Sequence, residues 1–92
     1  MTTPKRYILE GTWSGYHSAQ RRIVHRQLFR KPVNLSCIRY TDGTTLDISV
    51  RPAKPRERVK EIHGYTSLVR DALAIGKDYV SVDEIAARKR HV

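Results

Sequence analysis

SCIRYTDGTTLDISVR, residues 36–51, decides how the rest of the chain is read. Two β-rich runs flank Asp42–Gly43, an Asp-Gly pair that marks a tight hairpin. The second run alternates cleanly. Leu46, Ile48 and Val50 fall on one side, and Thr45, Asp47, Ser49 and Arg51 on the other. A two-residue turn would set Arg39 against Leu46 and leave Ile38 opposite Asp47. A three-residue loop over Thr41, Asp42 and Gly43 pairs Tyr40 with Thr44 and Ile38 with Leu46 instead. A one-residue slip moves every side chain to the other face, so burial of Ile38 selects the three-residue loop. Gly43 then takes the left-handed backbone of a bulge, which suits a residue without Cβ.

Upstream, RYILEGTW (6–13) alternates as a strand, with Tyr7, Leu9 and Trp13 on one face and Arg6, Ile8, Glu10 and Thr12 on the other. Ser14 to Ser18 reads as a loop around the Ser-Gly pair. AQRRIVHRQLFRK (19–31) fits either a helix capped by Ser18 or a strand. The β-branched pair Ile23–Val24 and the strand just before it favour a second hairpin strand, which Pro32 ends. Downstream, PAKP (52–55) breaks the sheet, and Pro55 suits the first turn of a helix running to about Ile62. TSLVRDALAI (66–75) is the best helix, with Leu68, Val69, Ala72 and Leu73 as its stripe and Gly76 as its stop. Ser81-Val82-Asp83-Glu84 has the form of a capping box and opens a last helix with Ile85 and Ala86 inward. The expected fold is a single α+β domain over residues 1–92. Its three- to four-stranded antiparallel sheet, a meander, precedes two or three short C-terminal helices, and residues 87–92 form a frayed basic tail.

A chain of 92 residues buries only roughly 60–65% of its unfolded surface, leaving one modest core and little room for a deep cleft. No window approaches a membrane span, and the opening MTTPKRYILEGTW lacks the apolar run of a secretory signal. Cys37 is the single cysteine, which fits a reducing cytoplasm and is too little for a cysteine-rich zinc site. The four histidines, His17, His25, His63 and His91, read as surface or half-buried side chains. No HExxH, paired CxxC, GxGxxG or P-loop is present, and the acids form no tight cluster. The expectation is a non-catalytic protein with no metal and no cofactor.

Charge carries the functional signal. Eighteen Lys and Arg stand against nine Asp and Glu, for a net +9. Residues 1–41 hold eight of these cations against Glu10 alone, and residues 51–60 hold five against Glu57. Residues 61–87 are mildly acidic. Segregated charge of this kind steers polyanions. Phosphate contact needs long cations and small hydroxyl or amide donors on a rigid frame. Between Thr12 and Arg26 the chain offers Tyr16 and His17 as loop contacts and Arg21, Arg22 and Arg26 as cations. Arg30 continues a four-residue spacing from Arg22 and Arg26, giving a basic row on a strand or a helix, and Lys31 follows it. Arg39, Arg56 and Arg58 complete the expected footprint on DNA or RNA. Tyr16 is the candidate for stacking on an unpaired base, while Trp13 reads as core packing. A different reading makes Trp13 and Tyr16, with arginines around them, the anchors of an interface with an acidic host protein. Either state, monomer or homodimer, is compatible with free sheet edges.

Two resemblances add to this. A three-stranded sheet followed by a helix looks like the DNA-binding domains that lay a sheet in the major groove, as in plant ethylene-response factors and the arm-binding domains of phage integrases. That likeness would have Arg6, Arg39 and Arg51 reading bases. The segments RYILEGTWSGYHSAQRR (6–22), IRYTDGTTL (38–46) and KPRERVKEIHGYTSLVRD (54–71) resemble short bacteriophage- and prophage-encoded proteins with no assigned activity. The resemblance implies a bacterial host cytoplasm, and it raises the possibility of a small protein that blocks or recruits a host factor such as a defence complex.

Overall fold

The computed structural model describes residues 5–14 and 22–90. Its strands are β1 (Tyr7–Ser14), β2 (Ile23–Phe29), β3 (Cys37–Arg39), β4 (Thr45–Pro52) and β5 (Tyr79–Ser81). Its helices are α1 (Thr66–Ile75) and α2 (Val82–Arg90). The fold is α+β, with one five-stranded sheet in the order β2-β1-β4-β3-β5.

The hairpin forms as its alternation requires. Ile38 faces Leu46, the Tyr40 N–H donates to the Thr44 carbonyl at 2.9 Å, and Gly43 has a φ of 91°. Ile38 and Leu46 are both fully buried. Residues 23–29 form a strand and not a helix. Helix α1 covers 66–75 and stops at Gly76, which has a φ of 84°. The capping box also forms: the Glu84 N–H donates to Ser81 Oγ at 3.1 Å, and the Ser81 N–H reaches back to Glu84 Oε1 at 3.4 Å.

Three features depart from expectation. The sheet is mixed, because β5 lies parallel to β3 between the two helices. Only Val80 of its three residues is buried, too little for a period to show. A parallel neighbour needs a long crossover, which residues 40–78 supply. The strands also do not run as a meander. β2 is an edge strand, so residues 30–36 must cross β1 and β4 to reach β3, and the crossing buries Leu35 against Leu9 and Ile38. Finally, residues 53–62 form no helix. Glu57 is held by Arg51 (2.7 Å to Oε2) and by the Lys54 N–H (3.1 Å to Oε1). Ile62 exchanges backbone hydrogen bonds with Arg26 at 2.8 and 2.9 Å. These contacts stretch the segment into a strap from the end of β4 to the outer edge of β2. Local helix propensity loses to them because the segment lacks an apolar stripe to bury.

The strap explains burial on both faces of the sheet. Leu9, Ile38, Leu46, Ile48 and Val80 face α1 and α2, where Val69, Ala72 and Ile85 close the core. Ile8 points the other way and is nevertheless only 1% exposed. The strap runs over that second face: Arg6 donates to the Lys54 carbonyl (2.8 Å) and Arg26 to the Lys60 carbonyl (3.2 Å). It also blocks pairing at the β2 edge, where the Leu28 N–H is satisfied by Glu61 Oε2 at 2.8 Å.

Past Ile62 the chain rounds the β2 edge through Gly64. A Cβ at this position would overlap the Val24 carbonyl oxygen, a backbone atom that cannot step aside. Gly64→Ala is therefore expected to cost about 1–3 kcal/mol, read as a lowered denaturant midpoint with an unchanged slope. An unmoved midpoint would show that the strap turns this corner differently.

Candidate nucleic-acid interface

The strand register sorts the cations by position. Tyr7 pairs with Phe29 on one side and Pro52 on the other, so the start of β1 and the ends of β2 and β4 share one end of the sheet. Lys5 and Arg6 precede β1, Arg30 and Lys31 follow β2, and Lys54, Arg56 and Arg58 follow β4. Three segments far apart in sequence, carrying seven cations between them, thus enter or leave the sheet at one end, the third running on as the strap. The acids of the strap are engaged, Glu57 by Arg51 and Glu61 by the Leu28 N–H and His63. Arg30, Lys31, Arg56 and Arg58 are exposed and have no hydrogen bond or ion pair among the described residues.

The remaining expected contacts fall elsewhere. Tyr16, His17 and Arg21 lie outside the described residues. Arg22 precedes Ile23, which pairs with Thr12 at the opposite end of β1. Eight residues of strand put that end about 23 Å away. Arg39, exposed on β3 opposite Thr45, lies toward the same far end. The row of Arg22, Arg26 and Arg30 is broken. A register shift opposite Gly11 and Thr12 inserts Val24 as an extra residue, so the period-2 rule fails between Arg22 and Arg26. Arg26 itself is internal: its Nε–H donates to Glu10 Oε2 at 2.8 Å. Of the three arginines expected to read bases, Arg51 is bound by Glu57 and Arg6 by strap carbonyls, which leaves Arg39 open.

Trp13 is also committed inside the molecule. Its ring packs edge-on against Tyr40 (5.1 Å between centroids) and Tyr65 (5.5 Å), and its Nε1–H donates to the Tyr65 hydroxyl at 3.2 Å. The residue that sequence reasoning missed is His25. It is fully buried, whereas the histidines read as surface or half-buried. Gly11 lies opposite it, and a Cβ there would stand 3.3 Å from Leu46 Cδ1 and 3.4 Å from the His25 Cβ, so the glycine lets β1 pack closely over both side chains. The Tyr65 N–H donates to His25 Nδ1 at 3.1 Å, which puts the ring proton on Nε2, 3.0 Å from Gln27 Oε1. Tyr65 is the N-cap of α1 and supplies no side-chain cap. The sheet therefore holds the start of α1 in place of a capping side chain. No sequence period marks His25, because the bulge at Val24 disrupts the alternation.

The strap is acid-sensitive. The Arg51 guanidinium, helped by the Lys54 N–H, lowers the Glu57 carboxyl from near 4.5 to about 2. A depressed carboxyl stabilises the fold in full above the ordinary value and loses that contribution as pH falls toward the folded value. Asp71, held down by Lys89, and Glu84, held down by Lys77, act in the same direction. Thermal stability is expected to fall between pH 4.5 and 2, and Glu57→Gln is expected to flatten part of that fall. An identical acid profile in the variant would mean that the pair does not fasten the strap.

Cys37 sits on the face opposite Ile38, and burial followed by the Asp47 charge pushes its thiol up, away from the reactive thiolate. No group of three metal-ligating side chains occurs among the described residues, and no described helix is long and apolar enough to cross a membrane. Comparison with family models, curated proteins and solved structures found no match.

Proposed function

We propose that this protein binds nucleic acid without catalysis, mainly through phosphates, at the end of the sheet where β1 begins and β2 and β4 end. One observation carries the reading: Arg30, Lys31, Arg56 and Arg58 lie on two separate segments that leave the same end of the sheet, and none has an acidic partner among the described residues. A protein that needed charge only for solubility would intersperse the two signs. Here four acids are matched to particular cations, Glu10 to Arg26, Glu57 to Arg51, Asp71 to Lys89 and Glu84 to Lys77, and Arg30, Lys31, Arg56 and Arg58 have no such partner among the described residues. A phosphate backbone carries charge at the spacing such a cluster can neutralise, with release of counterions. The Trp13 indole that a protein-interface reading would use as an anchor is occupied by Tyr40 and Tyr65, which favours the polyanion over an acidic host protein. The test is an anisotropy titration with short duplex DNA, single-stranded DNA and RNA at low and near-physiological salt. Binding that weakens steeply with salt supports the proposal, and no binding at low salt removes it.

A further inference from the structure

The Glu57 carboxylate sits among donors of a kind that binds oxyanions in general. Arg51 grips it with both ends of the guanidinium, Nη1 to Oε1 at 3.1 Å and Nη2 to Oε2 at 2.7 Å. The Lys54 N–H adds a third donor, 3.1 Å from Oε1. A planar fork beside a backbone amide matches a phosphate as well as a carboxylate. The grip brings the Glu57 carboxyl down to about 2, with the Arg51 hydrogen bonds as the main cause. It is nevertheless open to solvent, since the Arg51 side chain is 47% exposed. Arg51, Lys54, Arg56 and Glu57 together line one open cleft of about 570 Å³. Three cations meet a single acid there, so the cleft keeps a surplus of positive charge with Glu57 in place. Arg56 is exposed and has no hydrogen bond or ion pair of its own among the described residues.

From this arrangement we infer that the cleft is a seat for one backbone phosphate of a nucleic-acid strand, and that Glu57 fills the seat when no strand is bound. The inference rests on the phosphate-binding reading above and adds Arg51 to its contacts. The charges select the ligand. A phosphodiester carries one negative charge, as a carboxylate does, so it replaces Glu57 without upsetting the balance at Arg51. Its strand also brings further phosphates for the two cations that Glu57 leaves over. A single acidic side chain of a protein partner meets the fork equally well but brings no such row of charge. An ion pair this exposed contributes little to folding, so releasing Glu57 costs the fold little. A phosphate that bridges Arg51 and the Lys54 N–H keeps the strap fastened to the end of β4.

The experiment titrates the whole protein and its variants with a short thymidine strand that ends in hydroxyls, so that diesters are the only phosphates offered. Glu57→Gln removes the competing charge and keeps the side-chain length. It is expected to tighten binding about two- to fivefold at low salt, the range set by the worth of an exposed ion pair. Glu57→Ala, which empties the seat outright, is expected to act in the same direction. Adding Arg51→Lys to Glu57→Gln is expected to abolish the gain although the charge is kept, because an ammonium cannot grip two oxygens at once. In the parent protein, the carboxyl carbon signal that Glu57→Gln deletes is expected to move when the strand saturates the protein. Unchanged affinity in both Glu57 variants would overturn the seat and leave the phosphate reading standing. A gain that survives Arg51→Lys would overturn it too, since charge alone would then explain the effect, and so would an unmoved Glu57 signal. No binding by the parent or any variant at low salt would end both readings.

Discussion

His25→Leu is expected to lower stability by about 2–4 kcal/mol and the melting temperature by about 10–20 °C for a domain of this size. The effect is large because the imidazole joins two elements. Its Nδ1 takes the Tyr65 N–H at the start of α1, and its Nε2 meets Gln27 on β2. Leucine fills similar space and does neither, so a backbone donor is left without its partner behind a buried side chain, at about 1–3 kcal/mol. Gln27 is half-buried and can turn toward water, so Gln27→Ala should cost less than the histidine change. Tyr65 also holds Trp13 through its hydroxyl, so loosening it should change the tryptophan fluorescence before global unfolding. A melting temperature within a degree or two of the parent would show that the start of α1 is held by packing alone.

The second large effect concerns binding. Replacing Arg30, Lys31, Arg56 and Arg58 together by glutamine should leave the fold intact, since none of the four has an internal partner among the described residues. Each cation that contacts a phosphate contributes about 0.9 to the log–log salt slope on duplex DNA and about 0.7 on a single strand. Four lost contacts should therefore flatten the slope by about 3–4. Extrapolated from about 1 M salt, where counterion release vanishes, the loss at near-physiological salt is roughly two to three orders of magnitude in affinity. The same change made at Arg22 and Arg39, toward the other end of the sheet, should matter far less. Circular dichroism and melting of the quadruple variant check that only binding has changed.

How much of this could be read from the sequence follows from which forces are local. The β3–β4 hairpin was legible because an Asp-Gly pair sits inside strict alternation, and only one register buries Ile38. Helix α1 and the capping box of α2 were legible for the same reason, their signals lying within one or two turns of chain. The strap was not. Its shape is set by Arg51, Arg26 and the β2 edge, and residues 53–62 carry no period of their own. β5 was hidden by its length, and its parallel pairing depends on where α1 returns the chain. In the candidate site, the exposure of Arg30, Lys31, Arg56 and Arg58 agreed with the excess of charge. That their two segments leave the same end of the sheet needed the strand order, which no spacing reveals. The bulge at Val24 shows how one extra residue defeats a face argument, since it separates Arg22 from Arg26 and conceals the burial of His25.

The most direct test of the central claim is the salt dependence of binding by the parent protein and the quadruple glutamine variant, measured side by side by anisotropy on one short single strand from about 50 to 300 mM salt. The account predicts a steep line for the parent and, for the variant, a line shallower by about 3 in log–log slope. Parallel lines of equal affinity would contradict it, because phosphates would then be bound somewhere other than the end of the sheet where β1 begins and β2 and β4 end.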